Sequence, residues 1–237
     1  MTNSINKIDN VLSFYKEVME KTTFGNEDFP LSFNLVSEKE NKLVLVIGDN
    51  ASGKSLLTSQ MLNSGHKWTG VSGYNIGMKS RTMEGMARAF MYKPEEDNST
   101  GATTVSAVVS GLRNCLNHAN EGKGMMIVLD EPTLGLSMRY ERAMGEYVAS
   151  IVKENKENDN FKGILLVTHS KDMIRAMIDN GFEPSVVSVG KRLDSLSEWL
   201  DSAESASLDE LLSLDKKGLD TWREVRKYFN ALKEKKD

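Results

Sequence analysis

The sequence predicts an α/β fold: a mostly parallel core sheet flanked by helices, an N-terminal antiparallel β element and a helical C-terminal tail. Three observations predict it. Apolar runs at 43–47 (LVLVI), 125–129 (MMIVL), 163–168 (GILLVT) and 185–189 (SVVSV) have the pattern of buried strands. Segments with helical spacing lie between them, and this alternation implies parallel strands with right-handed crossovers. A glycine-rich turn separates the first run from the helix that follows it.

Taken in order, residues 8–21 place Ile8, Val11, Leu12, Tyr15 and Val18 at helical spacing. Strand-like runs at 31–36 and 43–47, separated by SEKENK, predict a hairpin that leads into the core. A helix is expected from about 54 to 62 and a strand near 68–72. The charged stretch 93–98 closes a Gly-, Ser- and Met-rich region that begins at 64. A helix over 102–119 has Ser99 or Thr100 near its start. Further helices are expected over 138–157 and 171–180, after the 125–129 and 163–168 strands. The charged tail, 191–237, is expected to be helical, with Trp199 and Trp222 as docking anchors. No internal repeat is present.

Composition excludes several classes. The 237 residues carry 30 Lys plus Arg and 34 Asp plus Glu, a formal net charge of −4. That balance supplies no global basic field for non-specific nucleic-acid binding, so any such contact needs a local patch. Lys79, Arg81 and Arg88 form one basic segment, read as a solvated turn. Lys216, Lys217, Arg223, Arg226, Lys227, Lys233, Lys235 and Lys236 form another in the tail, interrupted by Asp220, Glu224, Glu234 and Asp237 and read as a solvated helix face. One cysteine, Cys115, excludes an intramolecular disulfide framework and a multi-Cys zinc site. No apolar run approaches the ~18 residues of a membrane span. The N-terminus lacks the pattern of a secretory signal, and the expected location is cytoplasmic.

Three short segments carry chemistry. Residues 48–55 read Gly48-Asp49-Asn50-Ala51-Ser52-Gly53-Lys54-Ser55, which fits G-x-x-x-x-G-K-[ST] at every defined position. Gly48 and Gly53 let the backbone curl so that its N–H groups, through Leu56, converge on phosphate oxygens. The helix N-terminus adds positive potential. Lys54 would reach the β- and γ-phosphates, and the Ser55 hydroxyl would ligate Mg²⁺. The 125–129 strand ends in Asp130-Glu131-Pro132-Thr133. Asp130 there is placed to hold Mg²⁺, and Glu131 to polarise an attacking water as general base. The 163–168 strand is followed by His169 and Ser170. A histidine in that position can hydrogen-bond the γ-phosphate or the attacking water. His66 and His118 lie in no such context and are expected at the surface.

In this order GDNASGKS, VLDEPTLGLS and LLVTHS resemble the ATP-binding-cassette (ABC) superfamily of P-loop ATPases, over about residues 43–170. The resemblance implies an ATPase core over 1–190, with a reduced helical subdomain at about 64–120, and a helical extension over 191–237. It also implies ATP and Mg²⁺ as ligands, and an ATP-dependent homodimer in which two copies sandwich two nucleotides. A signature loop of one copy would face the phosphates of the other; its best match is Ser99 and Gly101, in NSTGAT at the start of the 102–119 helix.

The chain departs from the family in several places. The one glutamine, Gln60, lies in the helix after the phosphate loop, so the family's Mg²⁺-sensing glutamine is missing from its expected place; Asn75 and Ser80 are the candidate substitutes. Ser137 stands where the family has an aspartate. From Lys54 to Asp130 is 76 residues, short for a transporter subunit. The family's base-stacking aromatic should lie upstream of the phosphate loop, where Phe24 and Phe29 are the candidates. The pattern is closer to compact soluble heads of the SMC and recombination-repair type, working with a protein partner in DNA metabolism or defence. Three other readings stay open: a transporter's ATP-binding subunit, a P-loop kinase with a small-molecule acceptor, and a module that holds ATP without turnover. Substrate-dependent ADP release would mark the kinase.

Overall fold

The computed structural model describes residues 8–77, 99–203 and 205–234. The six strands among them are β1 (Phe33–Ser37), β2 (Glu40–Ile47), β3 (Ser72–Ile76), β4 (Met125–Asp130), β5 (Phe161–Val167) and β6 (Pro184–Val189). They form one mixed sheet in the order β1-β6-β2-β5-β4-β3. Every pairing is parallel except β1 with β6. The helices are α1 (Val11–Lys21), α2 (Lys54–Thr69), α3 (Thr100–Asn120), α4 (Met138–Glu154), α5 (Lys171–Asp179), α6 (Leu196–Asp201), α7 (Leu208–Leu212) and α8 (Leu214–Glu234). None among the described residues is long and apolar enough to cross a membrane.

The central strands are apolar on both faces because helices cover both faces. Along β2, Leu43, Leu45 and Ile47 point into a core shared with α3, α4 and α5. Val44 and Val46 point into a second core shared with α1 and α2. Each fully buried aliphatic side chain contributes about 1.5–3 kcal/mol. Continuous apolar runs are therefore what a three-layer helix–sheet–helix stack requires. Tyr15 ties α1 to β1 by donating from its hydroxyl to the Phe33 carbonyl at 3.0 Å. At the other end of the sheet the buried Lys42 ammonium donates to the carbonyls of Asn155, Lys156 and Asn158 just after α4. Burial lowers its pKa.

Four expectations change. Residues 31–36 and 43–47 do not pair as a hairpin, because β6 lies between β1 and β2. All six β6 residues are buried, so it needs a neighbour on each side; β1 is buried only at Phe33 and suits an edge. The connecting SEKENK also lacks the Asn-Gly or Asp-Gly chemistry of tight hairpins. The antiparallel N-terminal element is thus the single strand β1. Helix α2 runs on to Thr69 and stops at Gly70, whose φ of +69° ends it. That pushes β3 to 72–76, where pairing with β4, not its own SGYNI sequence, makes the strand. Helix α4 ends at Glu154, three residues early.

In the tail Trp199 packs against the core as expected. Trp222 does not dock and is 57% exposed. Val225, Tyr228 and Phe229 anchor α8 instead, packing on the cluster that holds Phe24 and Phe29. Residues 78–98, which include Ser80, Lys79, Arg81 and Arg88, lie outside the described residues, as do Lys235 and Lys236. The His66 side chain does too. His118, near the end of α3, pairs with Glu121 at 3.1 Å.

Helices α4 and α5 meet closely at Gly145, where an added Cβ would sit 2.2 Å from the Met173 carbonyl oxygen. Alanine favours an isolated helix over glycine by about 1 kcal/mol. Here overpacking wins: Gly145→Ala should lower stability by about 1–3 kcal/mol, read as a fall in the urea midpoint at unchanged slope.

Candidate functional site

The strand order builds the site. Because β5 lies between β2 and β4, the carboxyl ends of these three parallel strands emerge side by side. The 48–55 loop follows β2, Glu131 follows β4, and Thr168-His169 follows β5. Residues that motif spacing alone leaves far apart thus share one crevice.

The 48–55 loop turns through left-handed backbone at Ala51 (φ +62°) and Gly53 (φ +108°). A Cβ at Gly48 would sit 2.5 Å from the Val189 carbonyl oxygen, and one at Gly53 would sit 2.5 Å from Leu31 Cδ1. Backbone blocks any side chain at Gly48, whereas at Gly53 the φ of +108° is what requires glycine, since the Leu31 tip could move. Gly53 also caps α2 without a side chain, so no side-chain cap covers the helix's first N–H groups. Lys54 Nζ folds back over the loop, donating to the carbonyls of Gly48 (2.7 Å) and Asp49 (2.9 Å). It also lies 3.1 Å from His169 Nε2. Burial lowers the Lys54 pKa, while Glu131, Asp130 and Asp49 oppose that shift.

Glu131 and Ala51 are the two non-glycine residues with positive φ among the described residues, and both line the cleft. Glu131 (φ +55°) donates its backbone N–H to Val167 at 2.8 Å, so the β4–β5 ladder continues through the strained residue. Its Oε2 accepts the His169 backbone N–H at 3.3 Å, and its Oε1 lies 3.6 Å from His169 Nε2. Burial raises the Glu131 pKa and Asp130 and Glu141 add to that; the His169 amide and Lys54 act against it. Burial and Lys54 lower the His169 pKa below its ordinary value. That shift favours the neutral imidazole. Its Nε2 accepts from the Lys54 ammonium, which puts the ring proton on Nδ1.

These side chains line an open cleft of about 570 Å³, together with Asn50, Ser52, Ser55, Leu56 and Asp130. That volume falls within the roughly 300–1,000 Å³ of small-molecule sites. Leu31 and one face of α8, through Gly218, Thr221 and Trp222, also wall it. Thr221 Oγ lies 3.2 Å from the Ala51 carbonyl, to which it can donate.

Other predicted residues lie elsewhere. Ser99 is the N-cap of α3, and its Oγ accepts from the Ala102 N–H at 3.3 Å. Gly101 is buried, and a Cβ there would meet the Gly135 carbonyl at 2.6 Å, so packing alone accounts for this glycine. Neither lines the cleft. Asn75 sits within β3, opposite Val128, and does not line it either. Phe24 and Phe29 are buried, at 4% and 6% exposure, with ring centroids 4.8 Å apart; neither can offer a free face.

Sequence reasoning missed the α8 wall and one polar pair. Ser170 caps α5, accepting from the Met173 N–H at 3.1 Å, and donates to Glu141 Oε2 at 2.6 Å. This clamps the starts of α4 and α5 directly behind His169. A Ser just before an apolar helical segment signals a cap, but nothing in sequence points to Glu141 as its partner.

The residues present fit a nucleotide with a magnesium ion. Two close-fitting glycines and a helix N-terminus form a cradle for phosphate. Ser55 and Asp130 supply hard oxygen donors. Among the described residues no three His, Cys, Asp or Glu side chains gather as a metal cage. Mg²⁺ suits such a sparse donor set, since phosphate and water complete its shell. No protein-family model matches the chain, and no curated protein matches it.

The clamp gives a measurable coupling. Ser170→Ala should cost about 1–2 kcal/mol through the lost cap. Combining it with Glu141→Gln should cost less than the sum of the two single changes, as a double-mutant cycle in urea would show.

Proposed function

We propose that this protein binds ATP with Mg²⁺ and hydrolyses it as an ABC-type ATPase. The observation that carries the proposal is the convergence of Lys54, Glu131 and His169 on one cleft, at the ends of three adjacent parallel strands, above a glycine cradle.

In this reading each residue of the cleft has a role. Backbone N–H groups of residues 50–56 hold the phosphate chain at the start of α2. Lys54 leaves its loop carbonyls and donates to phosphate oxygens instead, exchanging neutral partners for anionic ones. Ser55 and Asp130 would hold Mg²⁺, which neutralises charge on the phosphates. Glu131 accepts a proton from the attacking water. His169, kept neutral, orients that water or a γ-phosphate oxygen through its ring nitrogens. Its backbone N–H holds the Glu131 carboxylate in place.

The resemblance further supports a homodimer closed by ATP, with Ser99 and Gly101 of one copy facing Lys54 of the other. Such a dimer opens after hydrolysis and so acts as a switch or motor for a protein partner, in DNA metabolism or defence.

Two variants test the chemistry. Lys54→Ala loses charge-assisted hydrogen bonds worth about 1.5–3 kcal/mol, so ATP affinity should fall roughly 10–100-fold by calorimetry. Glu131→Gln should keep affinity and lose ~10²–10⁴-fold in turnover. Normal ATP affinity in Lys54→Ala would sink the phosphate assignment. The dimer has its own test: light scattering on Glu131→Gln should report a doubled mass with ATP and Mg²⁺, and Ser99→Arg added to it should keep ATP binding but hold the mass at that of one chain.

A further inference from the structure

We propose that Trp222 is the platform on which the base of the bound nucleotide stacks, which makes α8 part of the ligand site. The assignment rests on the nucleotide reading of the cleft given above.

Gly218, Thr221, Trp222, Val225, Tyr228 and Phe229 recur at helical spacing and so form one face of α8. The C-terminal half of that face docks. Val225 is 1% exposed, Tyr228 meets Phe29 edge-on at 5.3 Å, and Phe229 lies 6.5 Å from Phe24. The N-terminal half passes over the 48–55 loop, with Thr221 against the Ala51 carbonyl. Trp222 therefore lies on the inward face of its helix, yet more than half of it is accessible. Solvent-facing helix geometry does not explain that exposure; the cleft beneath it does.

The cleft lining is of two chemical kinds. One is the phosphate cradle with Lys54, His169 and the carboxylates. The other is apolar: Leu31, Leu134, Trp222 and Val225. A ligand that satisfies both kinds is an anion joined to a flat, weakly polar ring, as in a purine nucleoside triphosphate. Base–aromatic stacking needs an open ring face, and among the described residues Trp222 is the one Phe, Tyr or Trp that lines this cleft.

The test compares ATP with inorganic tripolyphosphate, both with Mg²⁺, on the full chain by calorimetry or competition. Wild type should bind ATP more tightly than tripolyphosphate. Trp222→Ala should weaken ATP about 5–150-fold, the equivalent of about 1–3 kcal/mol per stacked base, and leave tripolyphosphate unchanged. Trp222→Phe should stay within a few-fold of wild type for ATP. An unchanged ATP-to-tripolyphosphate ratio in Trp222→Ala would overturn the stacking role. An equal loss for both ligands would also overturn it, since Trp222 would then act through the loop. If wild type binds neither ligand, the nucleotide reading itself fails, which is a different result from failure of the stack.

Discussion

The site depends on one pairing, the insertion of β5 between β2 and β4. Parallel pairing makes all three strands finish at the same edge of the sheet. Burial of both faces keeps charge out of the middles of these strands: Glu40, Lys42 and Lys162 sit at their starts, and the polar groups of the crevice enter where the strands stop. Lys54, Glu131 and His169 are brought together by that rule, although 77 residues separate Lys54 from Glu131 in sequence (131 − 54). The positions of α2, α4 and α5 follow as well, since each begins where one of these strands has delivered its polar group.

Within the crevice, the charged groups hold one another in place. The Lys54 ammonium is anchored to two loop carbonyls and caps the unprotonated nitrogen of His169. The Glu131 carboxylate is turned into the cleft by left-handed backbone and steadied by the amide of His169. Such strain persists only where surrounding structure over-determines it. Here the Glu131 N–H is committed to Val167 on one side, and the Ser170–Glu141 clamp fixes the chain behind His169 on the other. Much of the crevice is thus organised by groups that need not touch a ligand.

What the sequence disclosed follows from locality. Doubly buried strands read directly as apolar runs, and the polar residues that matter come immediately after them, so 48–55, 125–131 and 163–170 were legible without a fold. What it hid depends on partners distant in the chain. Nothing in residues 31–47 says that β6 will come between the two runs, and nothing in SGYNI says strand without β4 beside it. Helical spacing marks Trp222 and Val225 as one face but cannot tell which of them meets the core and which meets the cleft. Phe24 and Phe29 lie upstream of the loop as sequence reasoning required, yet they are consumed by each other, Phe33 and the end of α8. The Glu141–Ser170 pair spans 29 residues and left no pattern to find.

The strand order also bears on solubility. The stretches with the strongest tendency to stick to other chains, in β2, β5 and β6, are interior strands, each hydrogen-bonded on both sides. Among the described residues the two outer strands are β1 and β3, five residues each, reading FNLVS and SGYNI. Short rims with polar residues at alternate or adjacent positions give an approaching chain few places to add itself. The arrangement that gathers the polar strand ends into a cleft therefore also keeps the sheet's most adhesive segments away from its margins.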